Sequence, residues 1–125
     1  MTPRLLVLDD DGAILALLRS YFAGLGWSVQ VCAQAPQALQ IIDSDSYDAV
    51  ICDLHLGGAN GAEGLEVVSR ARRRWPRAGV VLFTGAAGLG VRGAALEAGA
   101  DDVVPKPAPL ARLREAAVLA MKSKQ

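Results

Sequence analysis

Short apolar runs alternate with longer amphipathic stretches along the whole chain. RLLVL (4–8), SVQVCA (28–33), DAVICD (48–53), GVVLFT (79–84) and DVVP (102–105) are predicted strands. The first, third and fourth are apolar almost throughout, the pattern of strands covered on both faces in a parallel sheet. Helical spacing fills the intervals. Over 12–25, Ile14, Leu18, Tyr21, Phe22 and Leu25 fall on one stripe, and Gly24 and Gly26 supply the stop. Over 36–43, Ala38, Leu39 and Ile42 share a face, with Pro36 tolerated in the first turn. Leu65, Val68, Ala71 and Trp75 mark a helix over 63–75 that Pro76 ends. A short helix is predicted over 91–98, stopping at Gly99, and a last one over 109–122, before the polar tail KSKQ. Five β–α pairs with short connections imply one domain: a parallel sheet, wound right-handedly, with helices on both sides.

Composition narrows the class without changing that picture. The length of 125 residues suits one domain with a real core. Thirteen basic and thirteen acidic residues cancel, so no global charge draws the chain to nucleic acid or to an anionic membrane. No apolar run approaches the ~18 residues of a membrane span, and the first, ending at Asp9, is too short for a signal-peptide core. Cys32 and Cys52 lie inside apolar segments without metal-like spacing, and read as reduced, buried residues of a cytoplasmic protein. The basic cluster RARRRW (70–75) lies at a helix end, where cations complement the dipole, and reads as solvated.

The parallel arrangement has a chemical consequence. All the carboxyl ends of the strands must lie along one edge, where open α/β sheets bind ligands. The first strand ends at Asp9, Asp10 and Asp11, the third at Asp53 and the fourth at Thr84, while Lys106 follows the fifth. Like charges about 4 Å apart repel by roughly 4 kcal/mol at an effective dielectric of ~20, so the aspartate run must be solvated, cap a helix or hold a cation. Asp11 suits a helix cap. Taken together, the carboxylates, hydroxyl and ammonium fit phosphoryl transfer to a carboxylate. Two or three carboxylates suit a hard divalent ion, one carboxylate can act as nucleophile on phosphorus, and a lysine and a hydroxyl can neutralise the product.

The motifs VLDDD, DAVICDLHL, VVLFTG and EAGADDVVPKP, in this order, resemble the receiver domain of two-component response regulators over essentially the full length, 1–125. The resemblance implies a doubly wound, flavodoxin-like (βα)5 fold, with five parallel strands in the order 2-1-3-4-5 and no output domain within the chain. It implies a switch that accepts a phosphoryl group from a histidine kinase or a phosphotransfer protein, rather than an enzyme acting on other substrates. By motif, Asp53 is the expected phosphoacceptor, Thr84 the switch hydroxyl and Lys106 the phosphate-pairing lysine, followed by a cis bond to Pro107. Mg²⁺ (or Mn²⁺) is expected on Asp9, Asp10, Asp53 and the backbone carbonyl of His55, with no direct contact to nucleic acid or membrane.

Three features depart from the family pattern. GGANGAEG (57–64) replaces a shorter, proline-containing loop and is expected to be mobile. Val103 stands where receivers often carry an aromatic switch residue, and the loop after Thr84, GAAGLG, is glycine-rich. Switching is therefore expected to work mainly by ordering the 85–90 loop and the following short helix, with Thr84 as the trigger. Two alternatives stand beside the switch. One is a scaffold that keeps the fold without using phosphate. The other is an aspartate-nucleophile phosphatase, which would want a carboxylate where His55 stands.

Overall fold

The computed structural model describes residues 2–58 and 61–124. Its elements, in chain order, are β1 (Arg4–Leu8), α1 (Gly12–Gly24), β2 (Ser28–Cys32), α2 (Ala35–Ser44), β3 (Ala49–Cys52), α3 (Glu63–Arg74), β4 (Gly79–Thr84), α4 (Leu89–Ala98), β5 (Asp102–Pro105) and α5 (Leu110–Lys122). The strands form one parallel sheet, as the apolar pattern predicts, in the order β2-β1-β3-β4-β5 that the family resemblance implies.

Alternation along the strands divides the core into two layers. Leu6, Leu8, Val50, Cys52, Val80, Leu82 and Val103 face α2, α3 and α4. Leu5, Val7, Ala49, Ile51, Val81, Phe83 and Val104 face α1 and α5. The central strands β1, β3 and β4 are covered on both sides, which explains their unbroken apolar runs. β2 lies at an edge and exposes Ser28 and Gln30.

Differences from the predicted elements are small and local. The buried stripe of α1 is Leu15, Leu18 and Phe22, whereas Ile14 and Tyr21 are half-buried. Leu25 is 40% exposed because it falls at the C-cap, where the helical periodicity no longer applies. α4 begins two residues earlier than expected, at Leu89, with Gly88 as its N-cap. Trp75 lies just past α3, buried against Tyr47 with ring centroids 5.5 Å apart, and its indole N–H donates to the Asp45 carbonyl at 3.2 Å.

The 70–75 cluster is not uniformly solvated. Arg73 and Arg74 are exposed, and Arg70 reaches Asp43 at 3.0 Å. Arg72 turns inward and joins the lower ends of three elements. Its Nε donates to the Gly99 carbonyl at 3.0 Å, its Nη1 to the carbonyls of Pro76 (2.9 Å) and Ala78 (2.8 Å), and its Nη2 to Asp101 at 2.7 Å. Asp101 also accepts from the Val80 N–H at 2.8 Å and from Lys124. A planar guanidinium fork can satisfy several fixed carbonyls at once, which a run of like charges in the sequence does not reveal.

The chain passes from β1 outward to β2, then back across β1 to β3, so the crevice between the carboxyl ends of β1 and β3 is the topological switch point. Asp9 and Asp53 are the residues that follow those two strands.

Candidate functional site

Each site residue is delivered by the end of a strand. The Asp9 N–H donates to the Cys32 carbonyl at 3.2 Å and the Asp53 N–H to the Leu8 carbonyl at 2.9 Å, so the sheet's hydrogen bonding continues into both residues. The Asp9 carboxylate is 3% exposed and that of Asp53 8%. Asp9 Oδ1 accepts from the Asp11 N–H at 2.9 Å. Asp11 itself caps α1, its Oδ1 accepting from the N–H groups of Ala13 (2.9 Å) and Ile14 (3.4 Å), so the third aspartate of the run has a structural task. Asp10 is exposed.

Lys106 closes the site from the far side of the sheet. Its N–H donates to the Thr84 carbonyl at 2.9 Å, and its bond to Pro107 is cis, as expected. Its Nζ donates to Asp9 Oδ2 at 2.7 Å and to Asp53 Oδ2 at 3.0 Å, and lies over the Phe83 ring 5.3 Å from the centroid. Burial alone would lower the ammonium pKa, but the hydrogen bonds to the two carboxylates outweigh it and leave it raised. For Asp9 burial dominates. Its pKa is raised despite the opposing hydrogen bonds from Lys106 and the Asp11 N–H, and the nearby Asp53 charge adds to the rise.

One ammonium therefore pairs with two members of a three-carboxylate cluster. Ligand oxygens of Asp9, Asp10 and Asp53 lie within 4.8 Å of one another. Asp53 Oδ1 is buried and has no hydrogen-bond partner among the described residues. A buried carboxylate oxygen without a donor is costly unless something else satisfies it. An all-oxygen set with excess negative charge is the donor set of a hard divalent ion.

The structure thus brings Asp9, Asp10, Asp53 and Lys106 together. Thr84, at the end of β4, is fully buried and accepts the Ala86 N–H at 3.2 Å through Oγ1. The exposed side chain of His55 is not part of the carboxylate group. Cys52 packs on the opposite face from Asp53's site, its thiol donating to the Asp53 carbonyl at 3.2 Å, and burial pushes its pKa up, as expected for an unreactive thiol. In the long loop, Gly57 and Gly61 hold positive φ, while the part of the expected mobility that concerns Ala59 and Asn60 lies outside the described residues. Reading residue types along the strands found the carboxylates and the lysine. It missed the Phe83 ring beneath Lys106, whose only signal was its place one residue before Thr84.

The family model of the response regulator receiver domain matches residues 5–118. The chain belongs to the response regulator receiver family. Among receiver-containing relatives, the response regulator MprA of Mycolicibacterium vanbaalenii is 36% identical over 113 residues, covering 90% of this chain and 48% of its own length. MprA of Mycobacterium tuberculosis strain H37Rv is 35% identical over the same extent. The chain spans about half the length of the curated relatives it matches. Among solved receivers, a CheY-like receiver domain protein from Methanospirillum hungatei superposes with a TM-score of 0.90 at 27% identity, covering 99% of this chain and 97% of that one. A response regulator from Burkholderia pseudomallei, solved with a phosphorylated aspartic acid, a calcium ion and citrate, gives 0.86 at 25% identity, covering 98% of this chain and 71% of that one. Among the described residues of this receiver, no helix is long and apolar enough to cross a membrane.

Proposed function

We propose that this receiver is a phosphorylatable switch whose phosphoacceptor is Asp53, supplied by a histidine kinase or a phosphotransfer protein. The observation that carries the reading is the state of the Asp53 carboxylate. One oxygen is held by Lys106, and the other is buried without a donor among the described residues, at the switch point of the sheet. A carboxylate so placed has lone pairs directed at an attacking position rather than committed to the fold.

Asp9, Asp10, Asp53 and the His55 carbonyl would hold Mg²⁺ (or Mn²⁺), which when bound supplies positive charge against the oxygens of the transferring phosphoryl group. The chain's own residues do the rest. An Asp53 oxygen forms the new O–P bond as the donor's N–P bond breaks, and the departing nitrogen keeps the bond's electrons and takes a proton. Lys106 then exchanges its contact with Asp53 for one with a phosphoryl oxygen, a charge-assisted bond. Among the described residues the Thr84 hydroxyl accepts from the Ala86 N–H and donates to none, so its proton is available for a second phosphoryl oxygen. Turning that hydroxyl toward the phosphoryl group would release the Ala86 N–H and let the glycine-rich 85–90 loop become ordered in a second conformation. This is a backbone route to switching that does not need a ring at Val103. Cytoplasmic residence completes the reading, supported by two buried, unpaired cysteines.

Incubation with Mg²⁺ and phosphoramidate, read by intact mass, tests the function. One added phosphoryl group, absent in Asp53→Asn, is expected. Labelling that persists in Asp53→Asn overturns the assignment. Continuous turnover of a phosphoester identifies a phosphatase, and no labelling with no turnover identifies a scaffold.

A further inference from the structure

We propose that Phe83 is a positioning residue: the face of its ring sets where the Lys106 ammonium sits, and through it the rate at which Asp53 accepts a phosphoryl group. The inference rests on the function proposed above and adds a residue to it.

Lys106 lies in the loop after β5, where a lysine's flexible stem would ordinarily carry its charge into water. Here the side chain is only 19% exposed and its Nζ sits inside the site. Two groups draw it in from one side, Asp9 at 2.7 Å and Asp53 at 3.0 Å. The Phe83 ring lies under it at 5.3 Å, within the range over which an aromatic face attracts a cation. Phe83 is buried in the layer that packs against α1 and α5, among Val7, Ile51 and Val104, so the ring is anchored by the core.

The partners of the ammonium differ in what the reaction does to them. Transfer to Asp53 converts one carboxylate partner into an acyl phosphate, and Lys106 must release that oxygen and find a phosphoryl one. Asp9 lies among the groups that would hold the metal. The ring alone is unchanged from start to finish. It gives the ammonium a fixed seat while its hydrogen bonds are exchanged, and keeps it from swinging to solvent at the moment its charge is needed.

The test uses the full chain with phosphoramidate and Mg²⁺, following phosphorylation by intact mass over time. Three changes at position 83 separate the ring's charge distribution from its bulk: Phe83→Leu, Phe83→Tyr, and replacement by 3,4,5-trifluorophenylalanine, which keeps the ring's shape but drains negative charge from its face. The Leu and trifluoro proteins are expected to lose roughly three- to tenfold in maximal rate, the range such a contact supports. Phe83→Tyr should stay within about twofold of wild type. The half-saturating phosphoramidate concentration of the trifluoro protein is expected to be unchanged. The Lys106 ε-methylene protons should show an upfield ring-current shift that disappears in Phe83→Leu. A trifluoro protein that is labelled at the wild-type rate overturns the Phe83 assignment alone, as does a Lys106 without the ring-current shift. A wild-type chain that accepts no phosphoryl group overturns the function itself, and this inference with it.

Discussion

Replacing Gly64 with alanine should damage both the fold and the site, and the structure sets the size of the effect. Gly64 lies in the first turn of α3, where the helix approaches the end of β3 so closely that its N–H donates to the Leu54 carbonyl at 2.8 Å. A methyl group there would stand 2.0 Å from the Asp53 carbonyl oxygen and 2.8 Å from the Leu54 Cα, both backbone atoms that no rotamer can move. To clear them the helix must withdraw by about 1 Å, a gap that forfeits a quarter to a half of each affected dispersion contact. Val67 and Val68, fully buried on α3, share that loss. Overpacking of this kind costs ~1–3 kcal/mol, and weakening the Gly64–Leu54 hydrogen bond adds ~1 kcal/mol. Against this, alanine is favoured over glycine in a helix by at most ~1 kcal/mol. The net loss is about 1–3 kcal/mol, or roughly 3–15 °C in Tm for a domain of this size. Urea unfolding followed by circular dichroism should show a lower midpoint with an unchanged slope, which marks a change in the native state. Gly93→Ala is the control. It lies within α4 with nothing within 4 Å of the added methyl, and should stabilise by ~0.4–1 kcal/mol. A Gly64→Ala protein as stable as wild type would refute the reasoning, and so would a Gly93→Ala protein destabilised to the same extent.

Arg72→Met should cost about 1.5–3 kcal/mol, below the value for a fully buried pair because the side chain is one-fifth exposed. Arg72→Lys should recover little, since an ammonium cannot span the Gly99, Pro76, Ala78 and Asp101 acceptors; a urea midpoint near wild type in either variant contradicts this. Hydrogen bonds from Arg4, helped by the Ser46 N–H, hold the Asp45 carboxyl down to about 2 from its ordinary 3.8. Because the folded pKa is depressed, this pair's stabilisation is present above about 3.8 and is lost as the pH falls toward about 2. In Arg4→Ala the Asp45 carboxyl carbon should titrate closer to 3.8 by NMR, and an unchanged titration would show that Arg4 is not the cause.

The order and type of every element could be read from the sequence because their causes are local. A period of two or of 3.6 in apolar positions, with glycine or proline at the stops, is written within a few residues of itself, and the observed bounds fall within one or two positions of the predicted ones. The site was legible for a related reason. Once the strands are parallel, topology alone carries Asp9, Asp53 and Lys106 to one edge, although Lys106 is 97 positions from Asp9 and 53 from Asp53. What tertiary structure alone decided is which atom meets which. The three aspartates look alike in the sequence; the fold buries Asp9 against Lys106, leaves Asp10 exposed and spends Asp11 on the α1 cap. Arg72 reads as one charge in a basic run, and only the meeting of α3, the α4–β5 turn and the start of β4 gives its guanidinium four acceptors. Phe83 reads as another apolar strand position, and only the path of Lys106 back across the sheet places an ammonium over its ring. Periodicity assigns a residue to a face, but side-chain partners depend on distances between elements far apart in sequence, which are settled only when the layers pack.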